Sequence, residues 1–249
     1  LPHDVLGAHL NDGVVTIRSV HHLADSVEVL TQDHTYLATH EHGGVWVCVF
    51  AAEDIPDYRL RVTYGDHSQV VDDPYRFLPT VGEMDTYLIS EGRHERLWEV
   101  LGAHLMHFDG VMGPVDGVAF AVWAPNAQAV RVVGDFNFWD GTGHAMRTMG
   151  ASGVWELFIP GVGVGARYKF EIQGPSGNWF QKADPMARAT EIPPATASVV
   201  TDVFHTWNDE DWLRAREDAN PHSGPMSIYE VHAGSWKQDL GYRGLADEL

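Results

Sequence analysis

Two tryptophans and a lysine stand where side chains can meet a ligand. Trp139 closes the run Asp135-Phe-Asn-Phe138, and Trp179 sits in the hairpin segment Gly174-Pro-Ser-Gly-Asn-Trp-Phe180. Lys169 takes an outward position on the strand that leads to that hairpin. Flat indole faces pack on C–H-rich ring surfaces, and an amine beside them can donate to hydroxyls. Such a set recognises a ligand; it does not make or break bonds. Burying much of one indole face gives roughly 1.5–3 kcal/mol, and ordering losses remove part of that. Two indoles therefore support affinity near the millimolar range, about −4 kcal/mol. The alternative use of the same indoles is packing against a neighbouring domain.

The 15 histidines raise the question of a metal. His21 and His22 are adjacent, so on a strand they point to opposite faces. His40 and His42 could share a face, but no Cys or further ligand set completes a metal spacing. No metal or other cofactor is expected. His9 and His104 each end the motif Val-Leu-Gly-Ala-His and are expected to be structural groups at a repeated turn.

That motif is one of several that the chain states twice. Val5-Leu-Gly-Ala-His9 recurs as Val100-Leu-Gly-Ala-His104, and Gly44-Val-Trp46 as Gly153-Val-Trp155. Tyr58-Arg-Leu60 pairs with Tyr168-Lys-Phe170, and Asp73-Pro74 with Asp184-Pro185. The order holds while the offset grows from 95 residues at the first pair to 111 at the last, the pattern of two copies of one domain with loop insertions in the second. Strands show by alternation in both copies. Tyr58, Leu60 and Val62 share one face and Arg59 and Arg61 the other; Lys169 and Glu171 point outward in the second copy. Trp46, Cys48 and Phe50 alternate, as do Trp155, Leu157 and Ile159; further strands are expected over 118–123 and 130–133. Short strands between Gly, Pro, Asn and Asp turns predict an all-β chain of two tandem immunoglobulin-like antiparallel β-sandwiches. A short helix with Ser90 as N-cap is expected before Val100, and another from Asn208, with acids in its first turn and arginines in its last. The expected divisions are an amino-terminal sandwich at 1–92, a second sandwich at 93–204, a helix and linker at 205–225, and a new element from 226. There Met226–His232 reads as a strand and Gly244–Leu249 as the start of a helix, so a third domain is expected to continue.

With 249 residues, 44% hydrophobic, the chain can bury a core in each of two domains. Its formal charge of −19, from 35 acids against 16 bases, argues against nucleic acid or an anionic membrane as partner. A neutral polymer is not excluded. The lone Cys48 reads as a small core residue in a reducing compartment. The opening Leu-Pro-His-Asp has neither a basic region nor an apolar stretch, so a cytoplasmic location is the expectation.

The stretches Gly134-Asp-Phe-Asn-Phe-Trp-Asp-Gly141, Tyr168-Lys-Phe-Glu-Ile172, Lys182-Ala-Asp-Pro185, Thr196-Ala-Ser-Val-Val200 and Ser227-Ile-Tyr-Glu-Val-His-Ala-Gly-Ser-Trp236 together resemble bacterial 1,4-α-glucan (glycogen) branching enzymes. The resemblance implies an amino-terminal module, then a carbohydrate-binding module of family 48. Residues 226–249 would then hold the first strand of a truncated (β/α)8 barrel of the α-amylase superfamily, with Tyr229, Glu230, His232 and Trp236 as barrel-core or domain-contact residues. It also implies glycogen or amylose, and the rest of that barrel, as partners. Retaining glycoside transfer uses an Asp nucleophile and a Glu acid/base. In this family they lie at the carboxyl ends of later barrel strands, so no residue here is expected to be catalytic and this segment alone is expected not to branch glucan. The second sandwich is also similar to the glycogen-binding module of the AMP-activated kinase β subunit. Carried across, that likeness gives Trp139, Lys169 and Trp179 as glucan contacts, with Asn137 and Asn178 as weaker hydroxyl partners. The first copy lacks both indoles, and Arg59 takes the place of Lys169, so a structural or spacing role is expected for it. Two rivals stand beside this reading: a debranching or trehalose-releasing hydrolase of the same superfamily, and a stand-alone glycan-binding module.

Overall fold

Alternating apolar residues need two sheets facing each other, and both copies build that arrangement. The computed structural model describes residues 2–202, 204–220, 222–237 and 239–249. The chain divides into two compact units, residues 1–203 and 204–249. The first sandwich has eight strands: β1 (Gly7–Asn11), β2 (Val14–Val20), β3 (Ser26–Leu30), β4 (Thr35–Leu37), β5 (Thr39–His40), β6 (Val45–Ala51), β7 (Arg59–Tyr64) and β8 (His67–Val71). They form two antiparallel sheets, ordered β1-β2-β6-β5 and β4-β3-β7-β8. Val15, Ile17, Val27, Trp46, Tyr58 and Leu60 fill the space between them. Cys48 is buried there too, as a free thiol. Arg61 points outward as expected and pairs with Glu28 at 2.8 Å.

The second sandwich repeats the plan. Its strands are β9 (Gly102–Phe108), β10 (Val115–Trp123), β11 (Ala129–Gly134), β12 (Arg147–Thr148), β13 (Val154–Pro160), β14 (Arg167–Gln173), β15 (Trp179–Lys182), β16 (Ala189–Thr190) and β17 (Ser198–Val199). One sheet runs β12-β13-β10-β9; the other runs β11-β14-β17-β16, with β15 also on β14. Val118, Phe120, Val132, Leu157, Tyr168 and Phe170 form its core, each at most 1% exposed.

The repeated motifs do the same physical work in both copies. Gly7 and Gly102 hold φ of +82° and +107° at the start of the first strand, a conformation that L side chains rarely adopt. His9 and His104 then donate from Nε2 to the carbonyls of Leu6 and Leu101, at 3.1 and 3.0 Å. Trp46 donates from Nε1 to His21 O, and Trp155 to Ala124 O, both at 3.1 Å. The Tyr–Asp pairs meet inside each core: Tyr58 Oη donates to Asp73 at 2.7 Å and Tyr168 Oη to Asp184 at 2.5 Å. The same two carboxylates accept from the backbone N–H two residues on, Tyr75 and Met186. The sequence repeat is therefore a repeat of buried hydrogen bonds as well as of strands.

Between the sandwiches, residues 72–101 pack against the outer face of β9-β10-β13. Phe77 covers Phe158, and Val81, Ile89 and Leu97 cover Val154 and Ala121. This second layer buries Glu156 completely, where it is held by Arg147 and by Thr80 N and Oγ1, at 3.1 and 2.6 Å. The helix expected to begin at Ser90 instead ends there. Helix α1 spans Glu83–Ser90, with acids Glu83 and Asp85 in its first turn, and Ser90 Oγ donates back to Thr86 O at 2.8 Å. The acids favour that earlier start at the positive end of the helix dipole.

In the second unit, α2 (Glu210–Asp218) has the expected polarity, Glu210 and Asp211 first and Arg216 last. It is followed by α3 (Ala233–Trp236) and α4 (Tyr242–Glu248). The strand expected at Met226–His232 does not form, and Met226, Ile228 and Tyr229 are exposed. A strand exists only as one rung of a ladder, and among the described residues none pairs with this segment. No helix among them is long and apolar enough to cross a membrane.

Candidate glucan-binding face

The register of β11, β14 and β15 decides which side chains share a surface. Glu171 stands opposite Arg131 on one side and Gln181 on the other, and Gln173 stands opposite Ala129 and Trp179. Period two then puts Lys169, Glu171, Arg131 and Trp179 on the outward face, while Tyr168 and Phe170 point into the core. Trp179 is 36% exposed. The guanidinium of Arg131 lies 4.1 Å from its ring centroid and 3.6 Å from the Glu171 carboxylate, so a cation–π contact fixes the indole and covers one of its faces. Lys169 donates from Nζ to Thr196 Oγ1 at 2.8 Å. Asn178 is exposed in the hairpin, and its carbonyl accepts from Gly174 N.

Trp139 arrives from a turn rather than a strand. Phe138 and Trp139 both hold left-handed backbone, with φ of 54° and 63°, which is uncommon for bulky side chains. Phe138 is 93% and Trp139 37% exposed. The turn closes with Trp139 N donating to Gly134 O at 2.8 Å and Asp140 N to Asn137 O at 3.0 Å. It then crosses the outward face of β11: a Cβ on Gly141 would stand 2.8 Å from Arg131 Cβ and 3.0 Å from Val133 Cγ1. Arg131 thus lies between the loop that carries Trp139 and the ring of Trp179.

Asn137 is not presented to a ligand in the way expected. Its Oδ1 accepts from Gly134 N, and its two amide hydrogens go to Val132 O and His144 Nδ1, all within 3.1 Å. That use requires a neutral His144, and burial pushes the imidazole down to about 4. Asp140 sits on the low side of the carboxylate range because Thr142 N donates to it.

A family model of carbohydrate-binding module 48 (isoamylase N-terminal domain) matches residues 100–187, and one of the N-terminal domain of alpha-1,4-glucan branching enzyme GlgB matches residues 1–75. The 1,4-alpha-glucan branching enzyme GlgB of Thermobifida fusca is 56% identical over all of this chain and 33% of its own length. GlgB 1 of Streptomyces coelicolor is 53% identical over all of this chain and 32% of its own. Along its whole length the chain matches the amino-terminal part of GlgB branching enzymes. It spans about a third of the length of the curated relatives it matches. A solved pullulanase type I from Bacillus subtilis, complexed with maltose, is 16% identical with a TM-score of 0.35, over 81% of this chain and 27% of that one. That likeness is too low to bear on fold or function.

On this face, three residues carry no signal in the sequence that marks their place. Phe138 reads as one member of an aromatic run, yet it is among the most exposed large apolar side chains. Arg131 reads as an ordinary strand residue, although its offset from Trp179 across β14 follows from the ladder register. Thr196 meets Lys169 from a loop, and no local signal announces that contact. In the first sandwich, Arg59, the counterpart of Lys169, binds Asp72 at 3.3 Å and Pro114 O at 3.2 Å. It serves the junction with the second sandwich.

Proposed function

We propose that residues 93–204 form a weak α-glucan tether within the amino-terminal region of a branching enzyme, a retaining transferase that cleaves an α-1,4 chain and rejoins it to a 6-hydroxyl. The observation that carries this reading is the shared outward face. Trp179 and Lys169 lie on it, and the Trp139 loop leans on it through Gly141 and Arg131. Trp139 and the free side of Trp179 supply stacking surfaces, Lys169 and Asn178 reach hydroxyls, and Asn137 holds the turn from behind. The first sandwich, residues 1–92, spaces and supports the second; both are immunoglobulin-like. Residues 205–225 then link to residues 226–249, which open a barrel whose own strands pair with Met226–His232. The catalytic carboxylates belong to that barrel, so this chain alone transfers nothing. A cytoplasmic setting, where glycogen or amylose is the partner, completes the reading.

Native gel electrophoresis in amylose or glycogen tests it. The chain is expected to be slowed, and the Trp139→Ala/Trp179→Ala variant to run free with its near-ultraviolet circular dichroism retained. Equal mobility of the two would mean that this face packs on protein instead. On the intact enzyme, iodine absorbance lost without new reducing ends separates transfer from the hydrolysis of a debranching relative.

A further inference from the structure

Tyr75 belongs to the short turn Pro74–Arg76 between the two sandwiches, yet its hydroxyl ends inside the turn region of the second. Tyr75 Oη donates to Gly143 O at 3.2 Å and accepts from Ala145 N at 2.9 Å. A hydroxyl can donate and accept at once, and here it grips the backbone on both sides of His144. His144 Nδ1 accepts from Asn137 Nδ2 at 3.1 Å, and Asn137 ties down Gly134 N and Val132 O. An unbroken line of contacts therefore runs from the junction to the two left-handed residues Phe138 and Trp139. A cavity of about 330 Å3, lined by His21, Asp73, Tyr75, Asn137 and His144 among others, lies behind that line. The hydroxyl of Tyr75 bridges to the turn where side-chain packing leaves a gap.

Backbone held in a sparsely populated region persists only where its surroundings over-determine it. We propose that Tyr75 is a positioning residue for the sugar platform: through Gly143 and Ala145 the junction sets the orientation of Trp139, and the amino-terminal sandwich thereby acts on glucan binding without touching glucan. The affinity part of this rests on Trp139 being a glucan contact, as proposed above; the geometric part does not.

The test uses the whole chain and the 1H–15N signals of its nine indoles, assigned by single Trp→Phe changes. Tyr75→Phe is expected to shift or broaden the Trp139 indole signal and leave that of Trp179 in place. It should also weaken maltoheptaose binding by about five-fold, the loss of one hydrogen-bonding group. A Trp139 signal unmoved in a folded Tyr75→Phe chain overturns the proposal. If the unaltered chain binds no maltoheptaose, the glucan reading fails while the indole signal still decides the role of Tyr75. Should the variant not fold, hydrogen exchange of the Ala145 amide in the unaltered chain decides instead. Protection supports the hydroxyl bridge, and exchange at the rate of an open loop rejects it.

Discussion

Glu156 has no exposed surface, although strand alternation assigns it to the outside of its sheet. The outside is covered by Phe77 and Thr80, so the carboxylate must be matched in place. Arg147, itself 12% exposed, faces it and donates from Nη2 to Phe77 O at 2.9 Å, while Thr80 adds two further donors. Removing one partner of a buried pair strands the other, which costs about 3–5 kcal/mol. Glu156→Ala is therefore expected to lower the free energy of unfolding by that amount in urea titrations. Replacing both charges with apolar groups, Glu156→Leu with Arg147→Met, should restore most of it. A loss below about 1 kcal/mol in the single variant, the scale of an exposed pair, would mean that the site is open to water.

At the level of elements, the twin Tyr–Asp hairpins tie acidity to stability. Asp73 is fully buried, and burial pushes its carboxyl up to about 6 despite the hydrogen bonds from Tyr58 and Tyr75; Asp184 is displaced in the same direction for the same reason. A raised carboxyl binds its proton more tightly in the folded chain than in the unfolded one. Its stabilising contribution is thus full below about pH 4 and is lost as pH rises through about 6. Two units of displacement correspond to roughly 3 kcal/mol. Asp73→Asn cannot titrate, so its stability relative to the parent should improve by up to that amount between pH 4 and pH 7. A parent-minus-variant difference that stays flat over this range would count against a buried acid. These hairpins also mark what could be read in advance. Inner faces such as Tyr58-Leu60-Val62 were legible because one side of each strand is apolar. The outer cover over β13 was not, although its near-continuous apolar run Val154–Pro160 with a single acid is the mark of a strand buried on both faces. In the candidate site, period two and ladder register place Lys169 and Trp179. The stacking of Arg131 on Trp179 follows once the register of β11 and β15 on β14 is known, which period two alone does not supply, and the inward turn of Asn137 depends on loop geometry that no short pattern encodes.

On the scale of the whole molecule, the two sandwiches are joined by specific hydrogen bonds rather than by a free linker. Arg59 reaches Pro114 O, Met112 N donates to Asp57 at 2.8 Å, Arg76 pairs with Asp57 and Asp72, and Tyr75 bridges Gly143 and Ala145. Arg76 is also 12% exposed and stacks 4.7 Å from the Phe77 ring, so Asp57 is its matched counter-charge. Opening the junction would exchange these bonds for bonds to water, a net loss of about 0.5–1.5 kcal/mol each. With four such contacts the penalty exceeds what either sandwich gains by unfolding alone near its midpoint, where that free energy is close to zero. Residues 1–203 are thus expected to melt as one cooperative block, with calorimetric and van't Hoff enthalpies in agreement. The 204–249 segment should add little signal, since α2, α3 and α4 bury no residue. Asp57→Ala, which removes the acceptor of Met112 N and one of the two carboxylate partners of Arg76, should then separate the melt into two steps or broaden it. Two resolved transitions in the unaltered chain would show that the sandwiches are independent, and the first would then have no mechanical route to the Trp139 turn.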